Sequence, residues 1–147
     1  MIEKMNYCHV KEVAELEKIC FSSPWSEKSL SDEIENNSAY FIVSLNDKNE
    51  VEGYSGMHIV LDECYIDNIA VFPFARNKGV GKMLLTALEE KAKEIDACFI
   101  TLEVRSGNTV ARNLYEKLGF INQGTRKNFY DNPKEDSLIY KKYYKEY

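Results

Sequence analysis

The 147-residue chain has little of what several chemistries require. It contains two histidines, His9 and His58, and its four cysteines, Cys8, Cys20, Cys64 and Cys98, are scattered. No C-x-x-C and no nearby histidine cluster completes a zinc site, so no metal is expected. Reduced, mostly buried thiols in a cytoplasmic protein are the natural reading. A cysteine nucleophile wants a histidine partner, and a lone histidine is more often a surface or packed residue than a catalyst. Apolar runs long enough to cross a membrane are missing, and residues 1–11 alternate polar and apolar side chains without the basic-then-apolar order of an export signal. Basic excess is missing too. The formal net charge of -5 argues against nucleic acid as the main partner, since phosphate backbones reward a basic face. With no repeat, low-complexity segment or linker, residues 1–147 read as one domain, long enough for a core without disulfide or metal.

What is present is an orderly series of elements. Strands are expected at Ile2 to Tyr7, Tyr40 to Leu45, Val51 to Leu61, Cys64 to Phe72, Phe99 to Arg105, Phe120 to Lys127 and Ser137 to Tyr144. A helix follows the first strand, with Val10, Val13, Ala14, Leu16, Glu17 and Phe21 at approximate helical spacing, and Pro24 breaks it. Ser26 caps a second helix with an apolar face of Leu30 and Ile34. The stripe Val80, Met83, Leu84, Ala87, Leu88 marks a third, running from Gly79 into Lys93. Asn108 caps a fourth, which carries Ala111, Leu114, Tyr115 and Leu118 and ends at Gly119 in a left-handed cap. The fold class is mixed α/β (α+β). A right-handed crossover makes the strands ending near Val71 and Arg105 parallel.

Between Val71 and the third helix lies Arg76-Asn77-Lys78-Gly79-Val80-Gly81-Lys82, with three cations and no acid on an acidic chain. N–H groups at a helix start are unpaired, the dipole is positive there, and two glycines let a ligand approach the bare backbone. The loop is therefore either a phosphate cradle or an ordinary strand-to-helix turn. It is not a P-loop, because Met83 follows Lys82, nor a dinucleotide fingerprint, because Leu84 stands where a small residue is needed.

Glu103 interrupts the apolar strand from Phe99 to Arg105, where a carboxylate is costly unless paired or solvated in a cleft. It shares a face with Thr101 and Arg105, so it is either the salt-bridge partner of Arg105 or a general base. Tyr115 is either a core aromatic with its hydroxyl peeking out or a proton donor. Asn108 is either merely a cap or also a ligand contact. Phe21 to Trp25 and Phe129-Tyr130-Asp131 are either local packing or walls that select a substrate.

Arg76-x-x-Gly79-x-Gly81 resembles the acetyl-CoA loop of the GNAT acyltransferases. Asn108-x-x-Ala111-x-x-x-Tyr115-Glu116-Lys117-x-Gly119-Phe120 resembles that superfamily's second signature. Pro24-Trp25-Ser26, Asn68-Ile69-Ala70-Val71, Leu102-Glu103-Val104-Arg105 and Asn128-Phe129-Tyr130 bring the likeness closest to the RimI-like branch, which acetylates the N-terminal alanine of ribosomal protein bS18. The resemblance implies a mostly antiparallel twisted sheet of six to seven strands with about four helices and a parallel, splayed pair at the cofactor site. It also implies that Ile69, Ala70 and Val71 offer backbone partners to the pantetheine arm of acetyl-CoA, and that Arg76, Asn77, Lys78, Gly79, Val80, Gly81 and Lys82 hold its pyrophosphate. Asn108 would contact the cofactor, Glu103 would accept a proton and Tyr115 would donate one. Substrate contacts are expected at Phe21, Trp25 and Tyr130. One departure is Gly107, where the branch commonly carries serine, so a hydroxyl contact is lost and the turn is expected to be looser.

The activity so implied is direct acetyl transfer to a primary amine by a cytoplasmic monomer or weak homodimer, with no membrane or nucleic-acid partner. An α-amino group titrates near ~7.7–8.0 and lysine near ~10.4, which favours a protein N-terminus, such as that of bS18, over a side chain. Lysine side chains and small amines are the rival substrates. A CoA-binding module without chemistry is the rival class.

Overall fold

In a computed structural model that describes residues 1–145, the elements follow the expected order. The strands are β1 (Ile2–Lys4), β2 (Ala39–Leu45), β3 (Val51–Val60), β4 (Glu63–Val71), β5 (Phe99–Arg105), β6 (Ile121–Tyr130) and β7 (Glu135–Tyr143). The helices are α1 (Val10–Cys20), α2 (Glu27–Ile34), α3 (Val80–Glu94) and α4 (Thr109–Lys117). Among the described residues the strands form one sheet in the order β1-β2-β3-β4-β5-β7-β6, in which only β4 and β5 pair in parallel. No helix among the described residues is long and apolar enough to cross a membrane.

Alternation along β2 builds a core on each side of the sheet. Phe41 and Val43 face a cluster with Val13, Leu16 and Leu30 from α1 and α2, whereas Ile42 faces Leu84, Leu88 and Ile100 under α3. A strand covered on both faces must be apolar at successive positions, as Phe41-Ile42-Val43 is. Truncating Leu84, which is fully buried, to alanine costs about 2–5 kcal/mol.

Departures from the sequence expectations lie at strand boundaries. β1 stops at Lys4 rather than Tyr7, because Asn6 accepts a hydrogen bond from the Cys8 N–H and its own N–H donates to His9 Nδ1, which starts a 3-10 turn. β6 continues past Lys127 to Tyr130 through a register shift at the left-handed Asn128, and β7 begins at Glu135. Cys8 is exposed, in contrast to the buried Cys64 and Cys98.

Candidate active site

β4 and β5 pair only where Glu63–Tyr65 meets Phe99–Thr101, and beyond that they part. The cause lies on the other side of β4. Gly56 of β3 pairs with Asn68 and Met57 with Ile66, so Asp67 is one residue too many, and a bulge of this kind bends its strand. The bend opens a cleft of about 640 Å³ between the two carboxyl ends.

Glu103, Tyr115, Asn108, Ile69, Phe21 and Tyr130 all line this cleft. Ala70, Val71 and Trp25 do not. Trp25 packs inward, its ring 5.6 Å from that of Phe41 and 6.5 Å from that of His58. Arg76 to Lys82 adjoin the cleft through β4 and α4: Arg76 Nε donates to the Val71 carbonyl at 3.1 Å, and a Cβ on Gly81 would stand 3.4 Å from Leu114 Cδ2.

The start of α3 differs from those of its neighbours. Ser26 Oγ accepts from the Ser29 N–H at the head of α2, and Asn108 Oδ1 accepts from the Ala111 N–H at the head of α4. Among the described residues, no side chain caps α3, and its first turn holds no acid. Gly79, at φ +80°, turns the chain into it with open space where a side chain would be. Bare N–H groups beside Arg76, Lys78 and Lys82 suit a diphosphate, and the free edge of β4 beyond Tyr65 suits an extended amide-bearing arm.

Glu103 does not bridge to Arg105. Arg126 of β6 takes that place, with Nε 2.7 Å from Glu103 Oε1 and its guanidinium more than half exposed. The N–H is not aimed at the oxygen, and buried Oε1 receives no hydrogen bond among the described residues. Arg105 pairs instead with Glu135 at 3.2 Å. Tyr115 is nearly buried, its ring 5.8 Å from Tyr140 and 6.2 Å from Phe120. Burial, helped by neighbouring Tyr130, raises its hydroxyl pKa well above the ordinary value, so it is protonated at neutral pH. The Glu103 carboxyl group and the Tyr115 phenol thus line one cleft.

Gly107 is held more firmly than expected. Its N–H donates to Glu135 Oε2 at 2.7 Å, and a Cβ would stand 2.6 Å from that oxygen, so the missing side chain makes room for the carboxylate. Two further clusters were not singled out in the sequence. Glu17 is fully buried and accepts from the Trp25 N–H, Tyr54 hydroxyl and Asn68 amide, fixing the turn after α1 to the bulged part of β4. A carboxylate on the apolar stripe of α1 was the available signal. His58 lies between Asp67 and Glu33, at 2.5 and 2.8 Å. Nothing local in the sequence joins residues from α2, β3 and β4.

A family model described as Acetyltransferase (GNAT) family matches residues 10–120. A relative from Bacillus subtilis (strain 168), provisionally named a ribosomal protein bS18-alanine N-acetyltransferase, is 38% identical over 94% of this chain and 91% of its own. The ribosomal protein bS18-alanine N-acetyltransferase of Haemophilus influenzae (strain ATCC 51907 / DSM 11121 / KW20 / Rd) is 35% identical over 90% and 89%. The crystal structure of the ribosomal-protein-S18-alanine N-acetyltransferase from Escherichia coli superposes with a TM-score of 0.89 at 26% identity, covering 100% of this chain and 95% of that one.

Proposed function

The chain belongs to the GNAT acetyltransferase family, and on that premise we propose that it moves acetyl from acetyl-CoA to the N-terminal alanine of ribosomal protein bS18 or a similar protein N-terminus. The observation that carries this reading is the meeting of Glu103 and Tyr115 in the cleft where β4 leaves β5, beside a helix start without a side-chain cap. Residues 1–147 act as one domain, in the cytoplasm, as a monomer or weak homodimer.

Acetyl-CoA, as substrate, supplies the activated acetyl group. The N–H groups at the start of α3, with Arg76, Asn77, Lys78 and Lys82, hold its diphosphate, and the Ile69–Val71 backbone aligns its pantetheine arm beside Asn108. Glu103 removes the ammonium proton, directly or through a water. The freed amine attacks the thioester carbonyl, the C–N bond forms as the C–S bond breaks, and Tyr115 gives its proton to the departing thiolate. No covalent enzyme intermediate is formed. An α-amine near ~7.7–8.0 surrenders its proton to a carboxylate more readily than a lysine near ~10.4, which favours a chain terminus. Phe21, Trp25 and Tyr130 shape the acceptor side: Phe21 and Tyr130 from the lining, Trp25 by bracing it from behind.

Mass spectrometry of acetylated peptides tests the reading, using an Ala-starting basic peptide, the same peptide with a blocked N-terminus and internal lysines, and polyamines. Acetyl on the free α-amine of the first is expected. Equal or greater acetylation of the lysine peptide or the polyamines overturns the substrate. Gly81→Trp crowds Leu114 and is expected to weaken acetyl-CoA binding; unaltered affinity removes the assigned diphosphate site.

A further inference from the structure

Arg105, at the carboxyl end of β5, makes four polar contacts with two separate segments of the chain. Nη1 donates to the Pro133 carbonyl at 2.8 Å and the Glu135 carboxylate at 3.2 Å, and Nη2 donates to the Asp131 carbonyl at 3.0 Å and Ser22 Oγ at 3.3 Å. Its guanidinium carbon lies 4.5 Å from the Tyr130 ring centroid. Ser22 belongs to the connection between α1 and α2, Tyr130 ends β6, Asp131 and Pro133 lie in the connection from β6 to β7, and Glu135 opens β7. The Ser22 hydroxyl also donates to the Asp131 carbonyl at 3.3 Å. Among the described residues, side-chain hydrogen bonds tie Ser22 to the far loop in two ways, directly to the Asp131 carbonyl and through the Arg105 guanidinium, which also holds that carbonyl.

The neighbours of these contacts line the cleft: Phe21 precedes Ser22, and Phe129 and Tyr130 precede Asp131. We propose that Arg105 is a positioning residue that clips the two walls of the acceptor channel together, fixing its width so that the acceptor amine arrives as the end of a slim, extended chain. This rests on the reading of the cleft as an amine acetylation site. Only a guanidinium suits the task, because its planar fork reaches carbonyls on one side and a hydroxyl on the other while stacking on Tyr130. A lysine in its place keeps the charge and loses the fork.

Arg105→Lys tests the clip in two arms on the full chain. Hydrogen exchange is expected to quicken in both residues 21–26 and residues 129–136, with β5 core amides unchanged. Steady-state kinetics with the Ala-starting peptide are expected to show acceptor KM raised about tenfold, with kcat within about threefold of wild type and acetyl-CoA KM unmoved. A Phe-starting peptide is expected to close part of its deficit against the Ala-starting one. Ser22→Ala, at an exposed position, serves if the lysine variant folds poorly, and is expected to change the same quantities in the same direction by about twofold. Unchanged exchange in either loop, an unmoved acceptor KM, or an equal rise in both KM values overturns the proposal. A wild-type protein that acetylates no amine refutes the functional reading instead, and the exchange arm still decides whether the clip exists.

Discussion

Two carboxylates near the cleft occupy opposite environments. Glu17 is fully buried yet saturated, with Oε1 accepting from the Trp25 N–H at 2.8 Å and Oε2 from the Tyr54 hydroxyl at 2.5 Å and the Asn68 amide at 3.0 Å. Glu103 is partly exposed, and its Oε1 has an arginine beside it but, among the described residues, no donor aimed at it. Every lone pair used at Glu17 fixes something: the turn after α1, β3 and the bulged part of β4. Such a group holds geometry. An oxygen without an aligned donor keeps its lone pairs available to a substrate, and that contrast sets a residue that shapes the cleft against one proposed to act in it.

The most severe test of the contrast is Glu103→Gln. Loss of a general base is expected to lower kcat by about 10²–10⁴-fold while leaving acetyl-CoA affinity and melting temperature near wild type. Turnover unaffected by the change means the amine reaches the cleft already neutral and the carboxylate has no proton to take. Tyr115→Phe ranks next. A thiol titrating near ~8.5 leaves without much help, so the loss in kcat is expected to be about 10²-fold, the low end for general acid–base groups. Full activity in this variant reduces Tyr115 to the core aromatic it also is.

Glu17→Gln inverts the pattern. An amide cannot accept from three donors without turning its own NH₂ toward one of them, and stability is expected to fall by about 1–3 kcal/mol in denaturant titration. Activity per folded molecule is expected to stay within a few-fold of wild type. Burial raises the Glu17 pKa above its ordinary 4.5, partly offset by the hydrogen bonds from Trp25, Tyr54 and Asn68. Between about 4.5 and the folded value, the folded chain therefore retains a proton that the unfolded chain has lost. Stability from this group is fully present below about 4.5 and declines as pH rises through the folded value. The wild-type advantage over the glutamine variant should accordingly be largest in acid and shrink toward neutrality. An advantage that grows with pH contradicts this sign.

The sequence makes legible whatever local chemistry decides. Gly79 at the start of α3 and Gly81 in its first turn, Asn108 as a cap and Gly119 as a left-handed stop are short-range features, and they stand where expected. The placement of Glu103 in a cleft also follows from a charge in an apolar strand. Its partner does not. Strand alternation puts Arg105 on the same face, but the choice of Arg126 depends on β6 lying beyond β7 in a register that aligns Arg126 with Ser137 and Ser137 with Arg105. The bulge at Asp67 likewise exists only against β3, and Gly107 reads as a loss until Glu135 is seen occupying the space. Long-range register is set by packing over the whole sheet, and no window of sequence contains it.

His58 lies between the two extremes, and the smallest predicted effect is there. Its ring is partly exposed, with Asp67 Oδ2 2.5 Å from Nδ1 and Glu33 Oε2 2.8 Å from Nε2. Burial disfavours the charged ring, but the two carboxylates outweigh it and raise the pKa above 6.5. The imidazolium therefore contributes stability that is complete below that value and is lost as pH rises through the folded pKa, a contribution that solvent and salt keep small. In an NMR titration of the imidazole carbons, wild type is expected to show a midpoint above 6.5, and Glu33→Gln, which keeps the shape but removes one charge, a midpoint moved down toward it. Glu33 is remote from the proposed chemistry on α2, so kcat should not change. An identical midpoint in the two proteins would mean that Asp67 alone sets the charge of His58, leaving Glu33, like Glu17, to hold position only.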